Sequence, residues 1–114
     1  MPRYIVAYHA PLSARERLRQ ATQEEAMAGV QLWIDWAKKL GPHLIDPGRP
    51  FGRAMRVTPT GTAPANSDMV GLSVLEADSM EHALSMVEGH HHLAWAPDCS
   101  ITVHEQIAIP ELQA

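Results

Sequence analysis

Gly89-His90-His91-His92-Leu93 is the part of this sequence with the densest chemistry. Imidazole titrates near neutrality and is the commonest metal ligand. In an extended segment, side chains two apart project to the same side, so His90 and His92 can face one pocket as an acid–base pair. A metal would need a third ligand. Asp98, His104 and His43 are available, but none has diagnostic spacing, so no metal is expected. A plainer role is also open: the imidazoles can cap the C-terminal carbonyls of the preceding helix. Other side chains can shape a pocket. Trp33 and Trp36 lie three apart on a helix and are therefore neighbours. They suit core packing or stacking on a planar ligand, and Trp95 beyond the His corner can complete the wall. Tyr8 and His104 fall on strands. Asp46 can orient a His or simply form the Asp46-Pro47-Gly48 turn. Cys99 reads as a small core residue, since no activating group is identifiable.

The elements that must position these residues follow from periodicity. Tyr4 to Tyr8 is apolar on both faces and rich in strand formers, which suits a central strand covered on both sides. The polar run from Ser13 to Gln20 suggests a loose helical turn. Thr22-Gln23-Glu24-Glu25 has capping-box spacing. Behind it, Met27, Val30, Ile34 and Ala37 form one helical stripe and Trp33, Trp36 and Leu40 a second, before Gly41-Pro42 stops the helix. A second strand is expected from His43 to Asp46, interrupted by Pro47 to Pro50 and resumed over Ala54–Thr58, with residues 59–67 as a loop. Val70–Leu75 forms a third strand. Asp78 or Ser79 caps a second helix that carries Met80, Ala83, Leu84 and Val87 on one face and ends at Gly89. Ser100 to Ile109 alternates as a last strand, with Glu105 breaking its apolar side.

The order strand, helix, strand, strand, helix, strand predicts an α+β, ferredoxin-like βαββαβ domain with a four-stranded antiparallel sheet. At 114 residues and 46% apolar content, residues 1–114 form a single domain. The net charge of −4 comes with scattered Lys and Arg. That argues against nucleic acid and anionic membrane surfaces as partners. No apolar run is long enough to span a bilayer, and Met1 to Tyr4 lacks signal-peptide features. A single cysteine excludes an internal disulfide. The expectation is a cytoplasmic, bacterial-type protein without a cofactor. No P-loop, Rossmann fingerprint, nucleophile elbow or His-Glu-x-x-His motif is present.

Several segments resemble the YCII-related family of the dimeric α+β barrel superfamily. They are Tyr4 to Tyr8, Trp33-Ile34-Asp35-Trp36 ending in Leu40-Gly41, Ile45 to Pro50, Gly71 to Ala83, and Gly89 to Leu93. The resemblance implies a homodimer whose sheets face each other as a barrel and a small-molecule ligand between helices and sheet. In some relatives it implies a His on the first helix paired with an Asp. The sequence departs there: the first helix has no His, His90-His91 replaces an Asp-Pro, and no Asp-Gly-Pro-Phe motif lies in residues 63–67. Two functions stay open. One is a small-molecule enzyme with isomerase, lactone-processing or dehalogenase-like chemistry and His90 or His92 as acid–base. The other is a non-catalytic binding or accessory module.

Overall fold

The computed structural model describes residues 1–12, 16 and 19–109. The helical turn expected after Pro11 falls largely outside that set. Among the described residues the elements are β1 (Arg3–His9), α1 (Gln23–Leu40), β2 (Leu44–Asp46), β3 (Ala54–Thr58), β4 (Gly61–Ala65), β5 (Met69–Glu76), α2 (Met80–Val87) and β6 (Ser100–Glu105). The protein is an α+β fold. One sheet has four antiparallel strands in the order β2-β5-β1-β6, and a separate two-stranded sheet pairs β3 with β4.

The strand registers divide the large sheet into two faces. Tyr4, Val6 and Tyr8 share one face with Leu75, Ser73 and Gly71 of β5 and with Glu105, Val103 and Ile101 of β6. This face carries the core, where Val6, Tyr8 and Leu75 pack against Trp36 and Leu40 of α1 and Val87 of α2. Ile5, Ala7 and His9 share the opposite face with Val74, Leu72, His104 and Thr102. Glu105 is exposed on the edge strand β6 beside a buried Tyr4, so the break in the apolar pattern falls where the sheet edge meets solvent.

Local chemistry sets the helix ends. Thr22 Oγ1 accepts from the Glu25 amide at 3.1 Å and the Glu25 carboxylate accepts from the Thr22 amide, which completes the capping box. Of the two cap candidates for α2, Ser79 is the cap, accepting from the His82 amide at 3.1 Å. The reciprocal bond comes from the His82 ring, whose Nδ1 accepts from the Asp78 amide. The stripes of α1 do not contribute equally. Trp36 and Leu40 are buried, whereas Met27, Val30 and Ile34 are exposed. Burial on α1 is thus concentrated in its C-terminal half, and the stripe that sequence places first faces solvent.

Two strand expectations are corrected. Residues 54–58 do not resume β2; they pair with 61–65 in a hairpin, inside a stretch read as loop. The last strand ends at Glu105 instead of Ile109, and Ile107 and Ile109 are exposed. Before the hairpin, residues 46–51 follow β5 closely. Ser73 Oγ donates to the Pro47 carbonyl and the Phe51 amide donates to the Val70 carbonyl. Gly48, at φ 77°, lies where a Cβ would collide with the Leu72 carbonyl oxygen. Only glycine fits both the backbone angle and the space.

Candidate functional site

The His-rich corner follows α2 as a short 3₁₀ turn, His91–Ala94. His90 is the residue before it, and its Nδ1 accepts from the His92 amide at 3.0 Å. That bond assigns the tautomer: a neutral His90 must carry its proton on Nε2. The ring lies among Trp36 (centroids 4.6 Å), Trp33 (4.9 Å) and Tyr8 (5.2 Å) and stacks on His91 at 4.1 Å. Nε2 of His90 and of His91 are both buried without a hydrogen-bond partner. The groups around the His90 proton are aromatic rings, which act as weak π acceptors.

Burial pulls the His90 imidazole down to about 3, with the neighbouring His91 and His92 adding to the effect. His91 is lowered for the same first reason, with His92 contributing. Burial pushes the Tyr8 phenol up to about 12, against the opposing effect of its bond to Ser73. That bond is 2.9 Å, and Ser73 Oγ donates onward to Pro47 at 2.7 Å, so the Tyr8 hydroxyl is the donor to Ser73. At neutral pH, His90 is therefore an uncharged packing group whose two nitrogens are committed or enclosed.

His92 behaves differently. Its Nε2 donates to the carbonyl of His9 at 2.8 Å, and its ring lies 5.3 Å from Tyr8. Both His90 and His92 do meet at Tyr8, although the segment is a 3₁₀ turn. Neither imidazole is bonded to the end of α2. Trp36 is, its indole N–H donating to the Met86 carbonyl at 3.0 Å. That satisfies one of the carbonyls a helix C-terminus leaves open.

The expected pocket residues separate into groups. Tyr8, Trp33 and Trp36 join the His corner, with Tyr8 and Trp33 edge-to-face at 4.9 Å. The Trp95 ring lies 5.9 Å from His92 and packs against Ala10 and Ala96. The Asp46 carboxylate accepts from the Gly48 amide at 2.8 Å, as a turn former does. His104 is exposed on the opposite face of the sheet, beside Ile5. His43 donates from Nδ1 to the Glu76 carbonyl at 3.0 Å. Among the described residues, no group of three His, Cys, Asp or Glu is placed to hold a metal ion.

An open groove of about 520 Å³ runs between α2 and β6, lined by Leu84, Val87, Leu93, Ile101 and Val103 with Glu81, Ser85 and Glu88. None of the pocket residues expected from sequence lines it. Its polar groups are acidic or hydroxylic and lie on α2 and the residue after it.

Sequence reasoning missed His9. Its Nδ1 lies 2.9 Å from Asp68 Oδ1 and its Nε2 lies 3.0 Å from Thr102 Oγ1. The signal for it was a His at the end of a doubly apolar strand, but its partners are 59 and 93 residues away. Fold and site together define an α+β protein with a buried imidazole–indole cluster behind the sheet and a solvent-facing carboxylate–imidazole–hydroxyl row in front. No family model matches the chain, and no curated protein matches it.

Proposed function

We propose that the protein is a small-molecule-binding homodimer of the ferredoxin-like, YCII-related type, which closes the helix-free faces of two sheets into a barrel around the ligand. The observation that carries this reading is the face of the sheet that carries Ile5, on which none of the helices among the described residues packs. Ile5, Leu72 and Val74 lie there half-buried, and His9 stands at its end between a carboxylate and a hydroxyl. Apolar area with a few convergent polar groups is what a ligand site needs. The His-rich corner backs it, through the bond from His92 to the His9 carbonyl.

The β3–β4 hairpin supports a second copy as the cover. Among the described residues its strands pair only with each other, and Met55 and Val57 are 50% and 76% exposed. A lone two-stranded hairpin is marginal in water. Residues 47–67 carry Arg49, Arg53 and Arg56 and no acid; with +3 there, the net −4 leaves −7 on the remainder. A basic apolar arm on an acidic body suits docking onto another copy of that body. Light scattering at micromolar concentration tests this: the parent should show twice the chain mass and Val57→Arg the monomer mass. A monomeric parent refutes the dimer. A metabolite thermal-shift screen tests the ligand: hits on the parent should be lost in His9→Gln, and hits that survive place the ligand elsewhere.

A further inference from the structure

The His9 row has more order than ligand binding alone requires. Five constraints hold the imidazole. β1 carries a register irregularity between Tyr8 and His9, a device that re-aims side chains beside active sites. The Ala10 amide donates to the Asp68 carbonyl at 2.8 Å, which locks the strand ends together. His92 Nε2 holds the His9 carbonyl at 2.8 Å. Asp68 and Thr102 then take the two ring nitrogens. With Nδ1–H donated to the carboxylate, the neutral ring presents its Nε2 lone pair to the Thr102 hydroxyl. Thr102 is exposed, and the His9 side chain is 18% exposed, so the row is reachable.

We propose that Asp68, His9 and Thr102 form a nucleophilic relay for acyl transfer, acting on small esters whose apolar acyl chain lies over Ile5, Leu72 and Val74. The arrangement is a nucleophile, a base within hydrogen-bond reach, and a third group that orients the base. Thr102 Oγ1 attacks the ester carbonyl carbon while its proton passes to His9 Nε2. The carbon–oxygen ester bond breaks, and the leaving alkoxide takes that proton and departs as an alcohol. Water then gives a proton to His9 Nε2 as its oxygen attacks the acyl carbon on Thr102. The acyl–Thr102 bond breaks, Thr102 Oγ1 recovers the proton, and a carboxylic acid leaves. The net reaction is ester plus water to acid plus alcohol. Asp68 fixes the tautomer and stabilises the imidazolium. His92 is a positioning residue that acts through the His9 carbonyl. The proposal rests on the preceding reading for its apolar acyl site and the exclusion of bulk water.

The full chain is treated with a fluorophosphonate probe and, separately, with p-nitrophenyl butyrate. The expected result is one phosphonyl adduct, mapped to Thr102 by peptide mass spectrometry. Thr102→Val should lose the adduct and ~10²-fold or more of the hydrolysis rate. Asp68→Asn, a change at an exposed carboxylate, should lose most of both while its circular dichroism and melting temperature stay those of the parent. Absence of label on Thr102, or undiminished hydrolysis in Thr102→Val, overturns the relay. Light scattering on the same samples separates the outcomes. A dimer without label fails the relay alone, and a monomer fails the barrel.

Discussion

His90 gives the protein a specific acid sensitivity. Its folded-state value is about 3 against an ordinary 6.5, because the charged ring would have to sit among Trp33, Trp36 and Tyr8. The group is depressed on folding, so its contribution is full above about 6.5. That contribution drains away as pH falls toward 3, where the unfolded chain binds a proton the folded chain refuses. Each pH unit inside that window removes up to ~1.4 kcal/mol. Between pH 7 and pH 5, the loss from His90 alone is at most about 2 kcal/mol, and partial opening of the cage would reduce it. The assay is urea denaturation of the parent and of His90→Asn at both pH values, with equal slopes required for comparison. Asn keeps an acceptor for the His92 amide and removes the titration. The parent should lose more than the variant over that interval, by up to about 2 kcal/mol. Identical pH dependence in both proteins would refute the buried, neutral imidazole.

Other substitutions test the remaining packing. Tyr8→Phe removes one donor to Ser73 and should cost about 1 kcal/mol, whereas Ser73→Ala strands both the Tyr8 hydroxyl and the Pro47 carbonyl and should cost about 1 kcal/mol more, measured by chemical denaturation. Gly48→Ala meets the Leu72 carbonyl at a positive φ and should cost more than about 3 kcal/mol, seen as a collapse of the melting temperature. Thr22→Ala removes the cap of α1 and should cost about 1 kcal/mol, with the double variant Thr22→Ala/Glu25→Ala costing less than the sum.

Sequence pattern made the sheet, both main helices and the caps legible, because each depends on residues close in the chain. The β3–β4 hairpin escaped it. Gly61, Pro64 and the alanines of β4 are poor strand formers, and a partner across the Thr58–Gly61 turn outweighs their propensity. The two stripes of α1 looked equivalent because periodicity reports amphipathicity but not where packing ends. The His corner was visible as a cluster, but the burial that keeps His90 uncharged involves Trp33 and Trp36, more than fifty residues away in sequence. His9 was passed over for a related reason: one His at a strand end gives no spacing signal, and only antiparallel pairing brings Asp68 and Thr102 to its two nitrogens.

The bond from the Phe51 amide to the Val70 carbonyl, 2.9 Å long, closes the root of the β3–β4 arm against β5. For protein engineering, that makes the arm a detachable cartridge. Its two ends are already held side by side, so the intervening stretch can be shortened to a tight turn or replaced by a foreign reporter without altering strand order. Such a chimera would keep the imidazole row and the indole-lined core without the exposed Met55 and Val57.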